Sequence, residues 1–142
     1  MNAQKEILKK YGKPDVIYQS KYCILWMIQI DFPWFPKERI FINKDFKNKL
    51  YAAFKELEAA GLHTEIKTED GCFEIRKVRA NANLTSLHSW AMAMDLNAAA
   101  EKLGQVKTNW SPEFIAIMTK YVFWGGNFHD RHDNMHFALY NG

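Results

Sequence analysis

From Asp45 to Ala60 the apolar residues Phe46, Leu50, Ala53, Phe54, Leu57 and Ala60 follow the helical period of about 3.6 residues, and Gly61 comes directly after them. This pattern predicts an amphipathic helix stopped by a glycine. Such a helix has one apolar stripe and needs a second layer to cover it. The rest of the chain offers mostly short elements for that layer. Cys23 to Ile30 (CILWMIQI), β-branched and aromatic, predicts a strand ended by Asp31-Phe32-Pro33. Pro33 and Pro36 then set Phe32, Trp34 and Phe35 in an irregular aromatic loop. His63 to Lys67 and Cys72 to Arg79 predict strands on either side of a Glu69-Asp70-Gly71 turn, and Ala80 to Ser86 predicts a polar loop. A helix is expected over residues 3 to 11. A second starts at Ser111-Pro112-Glu113, with Ser as N-cap and Pro at the first position, and runs to about Phe123 before Gly125-Gly126. Met135 to Tyr140 closes the chain as an aromatic strand. Helices and strands mix without βαβ regularity, which predicts an α+β fold.

The 142 residues contain no repeat, low-complexity segment or obvious linker, so one domain spanning 1–142 is expected, without a separate binding domain. Hydrophobic residues at 48% and aromatics at 15% supply a core and material for a ligand cleft. The formal net charge of +3 is mild, and Lys and Arg alternate with acids, which excludes the basic stripe of a nucleic-acid binder. Cys23 and Cys72 lack C-x-x-C spacing; one disulfide is possible, and two buried free thiols are the commoner case. The polar N-terminus has no apolar signal core, so synthesis in the cytoplasm without a signal peptide is expected. The longest apolar run, Cys23 to Ile30, is too short for membrane insertion.

The chemistry-bearing residues gather in the second half: His88, Asp95, and the run His129-Asp130-Arg131-His132-Asp133-Asn134-Met135-His136. A catalytic zinc needs three protein ligands and one open position, which two His and one carboxylate satisfy. A base that is not itself a ligand must stand beside the water, and Asp133, three residues before His136, suits that place. Arg76 or Arg79 can supply an oxyanion stabiliser from the strand before the motif. Each group also has a structural reading. A lone His among apolar residues is commonly a hydrogen-bonded core residue, and the terminal cluster can be a solvated loop. His132 and His136, four apart, would make a different metal site on a helix, but Asn134 and the aromatic tail argue against a helix there. Asp95 between Met94 and Leu96 carries more weight, because an unpaired buried carboxylate is costly.

The pattern Ser86-x-His88-x4-Ala93-x-Asp95 with Asp133-x-x-His136 resembles the signature of D-alanyl-D-alanine carboxypeptidase-type zinc peptidases, within the lysostaphin, D-Ala-D-Ala metallopeptidase and Hedgehog superfamily. A chance match to the first motif is on the order of 10⁻⁵ per start position on average residue usage. The run GCFEIRKVR to SLHSWAMAMDLN is similar to the peptidoglycan-cleaving branch found in phage endolysins, some of which are L-alanyl-D-glutamate endopeptidases. The likeness extends over roughly residues 23 to 140, with the motifs in 71–140.

The resemblance implies a small antiparallel sheet carrying one zinc ion (Zn2+), flanked by helices, with ligands His88, Asp95 and His136. It implies Asp133 as catalytic base, Arg76 as the better match for polarising the scissile carbonyl, and Ser86 as a residue orienting the first ligand loop. The reaction implied is metal-assisted hydrolysis of an amide in a peptidoglycan stem peptide, by a monomer acting on the cell wall after release. Endopeptidase and D,D-carboxypeptidase both fit. Two positions depart from the family: Ala91 stands where Gly is usual, and Ala138 where Glu is frequent. If position 91 needs positive φ, alanine costs about 1 kcal/mol there. Ala138 removes a hydrogen bond behind the metal. A zinc-stabilised binding module on the same scaffold is the alternative, and a metal-free scaffold a third; Asp133 favours an enzyme, since a structural zinc needs no base.

Overall fold

The computed structural model describes residues 2–79 and 81–142. The elements run α1 (Ala3–Tyr11), α2 (Val16–Tyr22), β1 (Cys23–Trp26), α3 (Ile28–Asp31), β2 (Ile40–Asn43), α4 (Lys44–Ala59), β3 (Glu69–Gly71), β4 (Lys77–Val78), β5 (Asn81–Thr85), β6 (Ala93–Leu96), α5 (Pro112–Met118), β7 (Phe123–Trp124) and β8 (His136–Ala138). The fold is α+β with small antiparallel sheets, as the mixed pattern predicts. The main sheet has four antiparallel strands in the order β3-β6-β8-β7, and β1-β2 and β4-β5 form separate two-stranded ladders.

The helix α4 is the backbone of the core. Asn43 caps it by accepting from Phe46 N, and Gly61 beyond its end takes φ 73°, which a glycine adopts without steric cost. Phe46, Leu50, Ala53, Phe54 and Leu57 are all buried, whereas Ala60 faces solvent. Phe32, Trp34 and Phe35 pack their rings around Phe54, so the aromatic loop is core packing. On the far side Trp110 stacks on Phe114 at 4.2 Å, and both meet Phe137 of β8 edge to face. This seats the main sheet against α5. Both cysteines are buried free thiols. Among the described residues no helix is long and apolar enough to cross a membrane.

Several predicted boundaries change. The strand expected over Cys23 to Ile30 ends at Trp26, and Ile28–Asp31 turns into α3. Ile28 is buried but Ile30 is 79% exposed, and Trp26 Nε1 donates to Asp31 Oδ2 across the turn. An apolar run alone does not separate a strand from a helical turn. The strand β2 went unforeseen. His63 to Lys67 opens as a 3-10 turn over Leu62–Glu65, and the expected Glu69-Asp70-Gly71 turn is strand β3. Its partner is β6, more than twenty residues on, so long-range pairing overrides the local turn signal. Asn97 fastens this edge, its Oδ1 accepting from Lys67 N and Thr68 N.

Only Lys77–Val78 of the Cys72 to Arg79 stretch is strand. The loop expected from Ala80 to Ser86 is strand β5 over Asn81–Thr85, and Ala80 lies outside the described residues. The helix α5 stops at Met118, not near Phe123. Thr119 Oγ1 bonds back to Ile115 O, and Phe123–Trp124 leaves to pair with β8. The closing strand shortens to His136–Ala138.

Candidate metal centre

Three short elements converge at one end of the main sheet. Asp95 of β6 and His136 of β8 are direct cross-strand partners, so both side chains leave the sheet on the same face. The neighbouring residues Met94 and Phe137, paired with each other, point the other way into the core. His88 comes from the 3-10 turn Leu87–Trp90 just before β6. Ser86 caps that turn, its Oγ accepting from His88 N at 3.3 Å. Ala91 ends it in the left-handed region at φ 53° and ψ 37°, donating its N–H back to His88 O. The positive φ contemplated for position 91 is therefore present. Its strain of about 1–2 kcal/mol is offset in part by full burial of the methyl.

His88 Nε2 lies 3.3 Å from Asp95 Oδ2, and His136 Nδ1 lies 3.5 Å from Asp95 Oδ1. One ligand atom from each of the three residues falls within 4.8 Å of the others. Tetrahedral coordination with bonds near 2.0–2.1 Å sets ligand atoms roughly 3.3 Å apart, so these separations fit a zinc-sized ion. The other ring nitrogens are held by backbone carbonyls: His88 Nδ1 by Cys72 O at 3.0 Å, and His136 Nε2 by Gly142 O at 2.7 Å. A carbonyl can only accept, so in neutral imidazoles these nitrogens carry the protons and the facing nitrogens keep their lone pairs.

Four buried side-chain polar atoms among the described residues lack a hydrogen-bond partner, and three of them, His88 Nε2, Asp95 Oδ1 and Asp133 Oδ1, are here. An orphaned buried polar atom costs about 1–3 kcal/mol. Three such atoms converging at one place fit a bound cation, and the donor set of two imidazoles and a carboxylate suits zinc.

Asp133 stands beside this cluster, its Oδ2 3.9 Å from His136 Nδ1. Burial pushes its carboxyl above the usual value against the pull of His136, and Asp95 adds repulsion. Asp95 also meets the cost of burial, but the attraction of the His136 and His88 rings beside it outweighs that cost and holds the carboxyl well below the usual range. Burial works against charge on His136, and the facing Asp95 carboxylate overcomes it, raising the proton affinity of His136 above the ordinary value.

A cavity of about 300 Å³ opens over these groups, lined also by Arg76, Arg79, Arg131, Phe128 and Met135. Arg76 and Arg79 are not on one strand as expected. Arg76 precedes β4, with its N–H on Ser89 Oγ and its carbonyl accepting from Ser86 N, and Arg79 follows β4. The Arg76 guanidinium bonds Glu74 and Lys77 O and acts on the Asp133 carboxyl, which ties it to the cavity. His132 stands apart from the three converging groups, with its Nδ1 against Gly126 O at 2.9 Å.

Residue-level reading missed the supports. The Cys72 and Gly142 carbonyls leave no trace in side-chain identity. Gly125 does leave one, as part of a Gly-Gly pair, but its role is visible only in the fold. A Cβ built there would meet Asp133 O at 2.4 Å and the Cβ atoms of Asp133 and His136 at 3.0 Å, while Gly125 O accepts from Asp133 N. Gly125→Ala is expected to destabilise by about 1–3 kcal/mol, read as a drop of several degrees in Tm. An unchanged melt would show that this approach is not tight.

Two imidazoles and a carboxylate around an open face, with a second carboxylate beside them, are the kind of donor set that mononuclear metallohydrolases use. Residues 79–139 match the sequence model of the D-alanyl-D-alanine carboxypeptidase family, which supports a metallopeptidase, and so a hydrolase. The matched span takes in Ser86, His88, Asp95, Asp133 and His136, begins at Arg79 and leaves out Arg76. No curated protein and no solved structure matches the chain.

Proposed function

We propose that this protein is a zinc-dependent peptidase that hydrolyses an amide bond in the stem peptides of bacterial peptidoglycan, as an endolysin-like endopeptidase or a D,D-carboxypeptidase. The observation that carries the reading is the convergence of His88 Nε2, His136 Nδ1 and Asp95 on one point, with the unpartnered Asp133 carboxylate beside it. His88, Asp95 and His136 would hold the ion. When bound, zinc supplies Lewis acidity, which acidifies water and polarises a carbonyl.

The remaining work falls to the chain. Asp133 takes the proton of the attacking water and returns it to the leaving amine. In the metal-free protein burial raises its affinity for protons above that of an ordinary Asp. Arg76 presents its guanidinium to the oxygen that gains charge as the carbonyl becomes tetrahedral. The buried positions of His88 and His136 limit the reorganisation needed during the step.

Digestion of purified peptidoglycan, followed by mass spectrometry of the fragments, tests the proposal and identifies the bond. New amino termini within the stem peptide are expected, lost on chelation and restored by zinc. Intact stem peptides after digestion with the zinc-loaded protein would overturn it.

A further inference from the structure

A second cavity of about 940 Å³ adjoins the metal cavity. Val78, Phe128, Arg131 and Gly142 line both, so the two are compartments of one cleft. The second is near the top of the size range of ligand sites, about 300–1,000 Å³. Its chemistry differs from that of the first. No cluster of metal-ligating groups lies in it among the described residues. Aromatic surface comes from Phe123, Trp124 and Phe128, and primary amides from Asn81, Asn127 and Asn141.

Phe123 is the clearest anomaly. It belongs to β7, paired with Ala138 of β8, yet the residue is 47% exposed and lines the cavity wall. Among the described residues the Asn127 and Asn141 side chains make no hydrogen bond, and only the Oδ1 of Asn81 is engaged, by Asn83 N. Amides offer two donors and an acceptor side by side, the complement of vicinal hydroxyls and of an acetamido group. Flat aromatic faces cover the apolar C–H face of a pyranose. The charges present do not favour a polyanion: Lys120 is paired with Glu56, and Asp130 stands beside Arg131.

We infer that this second compartment is a glycan subsite that binds the N-acetylated amino-sugar strand to which the stem peptide is attached. The inference rests on the peptidase reading above and deepens it. A sugar seated beyond Phe128 leaves the metal cavity facing the sugar-proximal part of the peptide. The enzyme then prefers glycan-linked substrate over free peptide.

The test compares a disaccharide–pentapeptide with the same pentapeptide freed of its sugars, using the zinc-loaded full chain. The expected kcat/KM is about tenfold or more higher for the sugar-bearing substrate, a margin of about 1.4 kcal/mol. Phe123→Ala and Asn127→Ala should each shrink that ratio several-fold while leaving the rate on the free pentapeptide unchanged. Equal kcat/KM on the two substrates, or a ratio untouched by both variants, overturns the inference. If neither substrate is cleaved, the peptidase reading fails, and an N-acetylglucosamine tetramer titrated into labelled protein decides the subsite separately. Amide shifts centred on Phe123, Asn127 and Phe128, lost in the variants, uphold it; no shifts there refute it.

Discussion

Replacing any one of His88, Asp95 or His136 by alanine is expected to remove stoichiometric zinc and, with it, all measurable hydrolysis. Three protein ligands are the minimum that catalytic zinc sites use, so none is spare. Asp95 has the widest reach, because its two oxygens face the two histidines separately, Oδ2 towards His88 and Oδ1 towards His136. Its loss takes one ligand and also the anion that keeps two buried imidazoles together. Metal analysis of each purified variant reads the effect, and full zinc occupancy in His136→Ala would sink the ligand assignment.

The same cluster sets a pH dependence with a definite sign. Zinc binds the neutral imidazole, so a proton on His136 competes with the metal. Asp95 raises the affinity of His136 for that proton above the ordinary 6.5, against the effect of burial. Competition is therefore absent well above this raised value and grows as pH falls through it. Zinc affinity measured against a chromophoric chelator should begin to weaken at a higher pH than an unperturbed histidine would give. A wild-type profile flat down to pH 6 would contradict the coupling.

The second large effect is expected at Asp133. Asp133→Asn should keep zinc and lose hydrolysis by about 10²–10⁴-fold, the usual worth of a general base. The substitution preserves shape and removes only the capacity to accept a proton. A variant that still turns over would move the base elsewhere, with His132 and Asp130 next in the same loop. A stability measurement separates this from misfolding. Burial raises the folded-state pKa of Asp133 above 3.8, so the folded protein holds this proton more tightly than the unfolded chain does. Stability then falls as pH rises from about 3.8 through the folded value, and the penalty persists at neutral pH. Metal-free Asp133→Asn should accordingly be more stable than the metal-free parent at pH 7, with the advantage fading in acid. Lower stability at pH 7 would mean that Asp133 is a structural residue whose removal disturbs the fold.

A group that costs stability and supports chemistry is what the buried, unpartnered Asp133 Oδ1 suggests. Gly125 fits the same account. It admits the Asp133–His136 turn to a depth no side chain would allow, and its carbonyl accepts from Asp133 N.

What could be read from the residues alone was whatever local rules decide. The helix α4 announced itself because an amphipathic period and the glycine that ends it act within a few residues of one another, while its Asn43 cap showed only in the fold. The α+β class followed from the same kind of pattern. The metal-binding candidates were legible as a motif, since the spacing of Ser86, His88 and Asp95 spans one turn and one strand. Chemistry alone could not have chosen His136 over His132; resemblance made that choice, and the fold gives the reason. The pairing of Asp95 with His136 in register turns both onto one face, while His132 is drawn off to Gly126 O.

Tertiary structure decided the rest. The strand β3 forms from a stretch that reads as a turn because β6 offers it a ladder from a distant part of the chain. Arg76 sits off-strand because its backbone bonds to Ser86 and Ser89 instead of to a neighbouring strand. The carbonyls of Cys72 and Gly142 select the histidine tautomers, and every residue carries a carbonyl, so no composition or motif could mark those two. The adjoining cavities, and the exposed ring of Phe123 between them and solvent, likewise exist only once β7, β8 and the last residues are brought together. Local propensity acts over a few residues, whereas the distances that make a site are set by elements that meet only in the folded chain.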